Sequence, residues 1–189
     1  MRLFRPLVAV LLVSGIGCAG SSTSPTGNNT LTVMLKDTPF SDAKALFVTF
    51  STVSVHASGA GFVTVPFSGG ASTRTCDLKK LTSAQDVLGT GPLTAGHYTQ
   101  IRLVVATATI YFANPSTGST ACAASLTAPA GNSAPVTIPS GEVILNREFD
   151  VTSTAATTIT LDFNGDQSVK ETGNGTFMMT PVISVVSVQ

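Results

Sequence analysis

Apolar and polar residues alternate with a period of two along most of this chain, the period of β-strands whose two faces meet different surroundings. Leu31, Val33 and Leu35 alternate with Thr32, Met34 and Lys36, and Asp37, Thr38 and Pro39 have the chemistry of a turn that ends the strand. In ALFVTFSTVSVHA, Leu46, Val48 and Phe50 share one phase and Val53 and Val55 the other. A bulge near Ser51 and Thr52 returns all five to one face. In GFVTVPF, Phe62 is out of phase with Val63 and Val65, and Pro66 marks an edge or an end.

CDLKKLTSAQDVL is the one segment with a loose helical spacing, through Leu78, Leu81 and Val87 or Leu88, and GTGP behind it reads as a breaker. TAGHYTQIRLVVATATIYF then leads through Tyr98, Ile101, Leu103 and Val105 into the longest strand. Further strands are expected at 121–126, 136–138, 143–151, 157–163 and 177–188. About eight or nine strands with almost no helix predict an all-β fold, a single β-sandwich of transthyretin-like or immunoglobulin-like kind. A closed β-barrel is the alternative that periodicity leaves open. The final apolar run, PVISVVSV, is too short for a membrane helix and is expected to be a buried terminal strand.

The first 30 residues break this pattern. Arg2 and Arg5 form a positive start, Leu7 to Val13 an apolar stretch too short to span a bilayer, and Ser14 to Gly17 a small-residue cleavage zone before Cys18. The arrangement resembles the bacterial lipoprotein signal, in which the cysteine after the cut carries a diacylglyceryl group. Gly15 stands where that signal usually has leucine, and ordinary secretion with cleavage near Gly20 is the competing reading. Ala19, in place of an inner-membrane-retaining aspartate, favours an outer-membrane or cell-surface site; secreted or periplasmic location is the alternative. The expected organisation is a signal peptide over 1–17, a lipidated flexible tether over 18–30 and a β-sandwich domain over 31–189. The partner implied at this end is the membrane, through the lipid anchor.

With Cys18 assigned to lipid, Cys76 and Cys122 remain as a pair. Two cysteines in an oxidising envelope point to a disulfide, which for a loop of about 45 residues stabilises by roughly 4 kcal/mol at most. Without Arg2 and Arg5 the chain keeps eight basic against ten acidic residues, and its one adjacent basic pair is Lys79 and Lys80. No nucleic-acid partner is implied.

Several segments together carry a family likeness: LTVMLKDTP, ALFVTFSTVSVH, CDLKKL, PLTAGHYTQIRLVV, IPSGEVILNREFDV, TLDFNGDQSV and GTFMMTPVISV. In this order they resemble the family known as domain of unknown function 4382, over nearly all of residues 31 to 188. The resemblance implies an exported β-rich domain without an established activity. Phe62 stands where that family's tryptophan is expected. TAGHYTQIRL is also similar to the glycine and tyrosine turn of transthyretin-like and collagen-adhesin B-type modules.

Candidate chemistry is sparse. His56 and His97 are the only histidines, and neither is surrounded by a nucleophile motif, so both read as surface or turn residues. Asp37 with Asp42, and Glu148 with Asp150, are the carboxylate pairs, and turn capping explains the first. DFNGDQSVKE places Asp162, Asn164, Asp166 and Ser168 at alternating positions with Glu171 behind, a weak calcium candidate centred on Asp162, Asn164 and Asp166. Gly165 and Gly173 fall at the wrong places for a helix–loop–helix calcium loop, and a tight turn accounts for the segment. The sequons at Asn28 and Asn174 carry little weight beside a bacterial signal. No catalytic residue, metal or cofactor is assigned. The expected function is a non-catalytic binding or adhesion module for a glycan or an envelope protein. A hydrolase, which would require His97, Asp37 and Asp77 to converge, and a spacer without ligand are the alternatives.

Overall fold

β1 (Asn28–Thr38) opens the fold where the alternation is cleanest, with Leu31, Val33 and Leu35 fully buried. The computed structural model describes residues 27–38 and 43–189; the signal segment, Cys18, Pro39 and Asp42 lie outside the described residues. β1 starts ahead of the expected boundary at Leu31, and Asp37 and Thr38 extend it rather than turn it. β2 (Ala45–Ala57), the short β3 (Phe62–Thr64) and β4 (Arg74–Asp77) follow. The predicted helix is a single turn, α1 (Leu78–Leu81), whose N-cap Asp77 accepts the Lys79 N–H. Val87 and Leu88 belong to β5 (Asp86–Thr94), and β6 (Gly96–Tyr111) is the longest described strand.

β7 is Cys122–Ala123 alone, where the sequence predicts a strand reaching Leu126. β8 (Ser133–Thr137), β9 (Glu142–Val151) and β10 (Thr157–Asn164) lead to a second one-turn helix, α2 (Gly165–Ser168). The last apolar stretch is two strands rather than one. β11 (Val169–Gly173) and β12 (Thr176–Met179) form a hairpin, and β13 (Ile183–Val188) lies in the other sheet. The crossing is held at residue 168, whose carbonyl accepts the Thr180 N–H and whose hydroxyl accepts the Val182 N–H. Pro181 between them has no N–H to offer a ladder.

The strands make a four-stranded sheet, β13-β10-β1-β5, and a larger one, β11-β12-β8-β6-β2-β4-β7, with β3 paired to β2 and β9 to β6. Both sheets are mixed, because β1 runs parallel to β10 and β12 parallel to β8. Their apolar faces meet in one core. Ile159, Leu161 and Phe163 of the small sheet are fully buried with Val48, Phe50, Val53 and Val55 of the large one, and Phe50 meets Phe163 edge-on at 6.3 Å. Each such side chain contributes on the order of 1.5–3 kcal/mol of burial. The phase slip of β2 is a bulge: Ser51 is skipped in the pairing with β6, and Ala106 of β6 is skipped on the other side of the Phe50–Val105 pair.

The architecture is an all-β sandwich and not a closed barrel, yet one side carries a seam. The Val65 N–H donates to the Val53 carbonyl of the large sheet, and the Pro66 carbonyl accepts the Thr90 N–H of the small one. Here the GTGP segment departs from its reading as a breaker, since Gly89 to Pro92 lie inside β5, paired with Val33 to Thr30. The glycines make room for the seam: a Cβ on Gly89 would lie 2.8 Å from the Pro66 carbonyl oxygen, and one on Gly91 2.6 Å from its ring. Pro92 is tolerated because β5 is an edge strand.

Candidate functional site

Alternation that buries Val53, Val55, Ile101 and Leu103 turns Ser54, His56, Gln100 and Arg102 to the opposite, outer face of the large sheet. Register aligns them in two rows across four strands. Thr64, Ser54, Arg102 and Ile144 make one, and Phe62, His56, Gln100 and Asn146 the other. The side chains are tied to one another. The Arg102 guanidinium lies 4.0 Å from the centre of the Phe62 ring, donates from Nε to Ser54 Oγ at 3.3 Å and stands 3.7 Å from Glu142. His56 meets Phe62 edge-on at 5.0 Å, and its Nδ1 lies 3.1 Å from Thr99 Oγ1. Gln100 Nε2 donates to Asn146 Oδ1 at 2.9 Å. Ile144, 46% exposed, is the apolar member of the platform.

A skipped residue, Thr99, separates this platform from the end of β6. Beyond it Tyr98 returns to the core, stacks on Phe149 at 5.3 Å and donates its hydroxyl to the Thr94 carbonyl at 2.8 Å, which anchors the turn at Ala95 between β5 and β6. Burial raises the Tyr98 phenol above its ordinary range. His97, again outward, pairs with Asp150 at 2.8 Å. Both histidines therefore stand on one face, which neither their positions in the chain nor their neighbours reveal. Phe62, which stands where the family's tryptophan is expected, is the residue on which His56 and Arg102 converge.

The other end of the sandwich is built around buried carboxylates. Asp37 is 5% exposed; its Oδ1 accepts the Gly165 N–H at 3.1 Å, and its Oδ2 has no partner among the described residues. Burial pushes its carboxyl up to about 7, with the Asp162 charge adding to the rise and Lys79 opposing it. Asp77 accepts the Leu46 N–H at 3.2 Å and the Lys79 N–H at 3.1 Å, and receives the Ser116 hydroxyl. Asp86 stands 3.7 Å from Arg74 and accepts the Cys122 N–H at 2.9 Å. Burial lowers the Arg74 guanidinium and Asp86 opposes that shift. Cys76 and Cys122 face each other across β4 and β7 and are joined by a disulfide.

Asp37 and His97 do not converge. β1 carries Asn28 beside Thr94 at one end and Asp37 near the other, so strand steps of about 3.3 Å separate these ends by roughly 30 Å. The calcium candidates do not converge either. Asp162 accepts the Thr38 hydroxyl at 3.2 Å and pairs with Lys36 at 3.6 Å, Asn164 caps α2 through the Gln167 N–H at 2.9 Å, and Asp166 lies in the first turn of that helix. Among the described residues no group of three His, Cys, Asp or Glu side chains is placed to hold a metal ion. Glu148 is exposed, and the Asn174 turn has positive φ at 173, 174 and 175.

The family model described as a domain of unknown function (DUF4382) matches residues 28–181. The chain belongs to that family. The DUF4382 match takes in every described strand but β13, and with it both rows of the platform and the disulfide. No curated protein and no solved structure matches the chain. The DUF4382 description assigns no activity, so the functional reading rests on the chemistry of the face itself.

Proposed function

We propose that this DUF4382 protein is an exported, envelope-anchored binding module that holds a glycan or an envelope protein on the outer face of β3, β2, β6 and β9. The observation that carries this is the two-row platform. Its guanidinium, amide and imidazole groups are aligned by register and already hydrogen-bonded or stacked, so little side-chain entropy is lost when a ligand replaces or extends those bonds. One face of Phe62 is covered by Arg102, which favours polar contacts over stacking of a sugar ring on the open aromatic. The Cys18 signal supports the anchor, and the disulfide fits an oxidising compartment. No helix among the described residues is long and apolar enough to cross a membrane.

The platform is tested by envelope pulldown and glycan array with the intact domain and with an Arg102→Glu, Gln100→Ala variant of unchanged melting temperature. Retention lost in the variant supports the face; equal retention assigns binding elsewhere. The anchor is tested by metabolic labelling with an acyl probe, which Cys18→Ser must abolish.

A further inference from the structure

At the far end of the same outer face the chain brings together a serine from the turn after β2, a histidine on β6 and a carboxylate on β9. Ser58, just past β2, donates its N–H to the His97 carbonyl at 2.9 Å, which makes the two residues cross-strand neighbours. On the opposite side His97 Nδ1 lies 2.8 Å from Asp150 Oδ1. A carboxylate accepting from Nδ1–H fixes the tautomer that leaves Nε2 as the proton acceptor. Ser58 and His97 line one cavity of about 320 Å³, whose other walls include Ala57, Ala60, Val63 and Tyr98. The Gly59 N–H, next after Ser58 in a turn where Gly59 has φ +75°, has no hydrogen-bond partner among the described residues. A Cβ added to Gly59 would meet nothing within 4 Å, so this side of the turn is open.

We propose that Ser58, His97 and Asp150 form an acyl-transfer site for small carboxylic esters. Ser58 is the nucleophile, His97 the base, Asp150 the residue that orients the imidazole, and the Gly59 N–H a donor to the oxyanion. His97 Nε2 takes the Ser58 hydroxyl proton as the Oγ–C bond to the acyl carbon forms. Collapse of the adduct breaks the bond from that carbon to the alkoxy group, which leaves with the proton from His97. Water then attacks the acyl-serine with the same base, releasing the carboxylic acid and restoring Ser58, so ester and water become acid and alcohol. The Ser58–His97 side-chain bond is not made in this structure, as is common before substrate binds. Small apolar walls select short acyl chains, acetyl before longer ones.

The test uses the full chain and a fluorophosphonate probe, with hydrolysis of p-nitrophenyl acetate and p-nitrophenyl decanoate as the second readout. The expected result is one adduct mapped to Ser58, absent from Ser58→Ala and formed about 100-fold more slowly in His97→Gln. Acetate should be hydrolysed and decanoate not. Asp150→Asn should slow labelling and Asp150→Glu recover part of it, a rescue that a merely structural residue would not show. Ser58 is exposed in a turn, so its alanine variant keeps the melting temperature of the parent. No adduct, an adduct on another serine, or undiminished labelling of His97→Gln overturns the proposal. Covalent labelling needs nothing from the Arg102 platform, so its failure leaves the binding reading standing and the reverse also holds.

Discussion

Asp150 and Asp37 mark the two ends of the sandwich and show how differently this chain uses a carboxylate. Asp150 is exposed on the outer face and has a hydrogen-bond partner, His97 Nδ1, beside it. Asp37 is buried, and one of its oxygens has no partner among the described residues. A pair in water contributes little to stability because solvent screens it, whereas a carboxylate out of water must be satisfied or held protonated. Stability therefore depends on polar groups at the Asp37 end, whereas the exposed groups of the outer face cost the fold little.

The comparison breaks most sharply at Asp77. Asp77→Ala leaves the buried Leu46 N–H without its acceptor and uncaps α1, and should cost about 4 kcal/mol in urea unfolding. A loss below about 1 kcal/mol would remove the claim that stability is concentrated there. Next comes the disulfide beside it: the double variant Cys76→Ala, Cys122→Ala should lose about 3 kcal/mol, read by the same titration, while the intact protein loses a similar amount on reduction.

Asp37 sharpens the contrast through pH. Its folded value is raised from 3.8 to about 7, so between those limits the folded chain binds more protons than the unfolded one. Its contribution is complete below about pH 4, declines as pH rises to about 7 and stays lost above that. Asp37→Asn should thus stabilise by about 2 kcal/mol at pH 8 and by nothing at pH 4, half of what 1.36 kcal/mol per pH unit allows as a ceiling. Parallel melting curves of parent and variant across pH 4–8 check this. The smallest change in stability belongs to the platform, where Arg102→Ala should alter unfolding by only about 0.5 kcal/mol while lowering ligand retention about tenfold.

Local rules made much of the sandwich legible. The alternation of Leu31, Val33 and Leu35, the slip after Phe50 and the length of the Tyr98 strand all appear as the sequence predicts, because strand period and bulges are properties of neighbouring residues. The pairing of Cys76 with Cys122 followed from counting. The GTGP segment misled because glycine and proline usually punctuate, and only the approach of Pro66 from elsewhere in the chain explains a strand there. Parallel pairing of β1 with β10 joins residues too far apart in sequence for any local signal. The outer face was hidden for a related reason. His56, Gln100, Arg102 and Asn146 share it only after the register of three strands and the skipped Thr99 are known. Ser58 beside His97 was missed in the same way, since their adjacency is set by the long-range pairing of β2 with β6 and not by spacing.

β1 lies between β5 and β10 with hydrogen-bonded neighbours on both sides, and the chain enters it at Asn28. A pull on Asn28 along the axis of this strand meets both neighbours at once. It loads the two ladders in shear, many bonds at once, instead of peeling them open one by one. A domain tugged from its N-terminus would therefore resist force through its central strand, and that mechanical strength requires no residue beyond those that form the core.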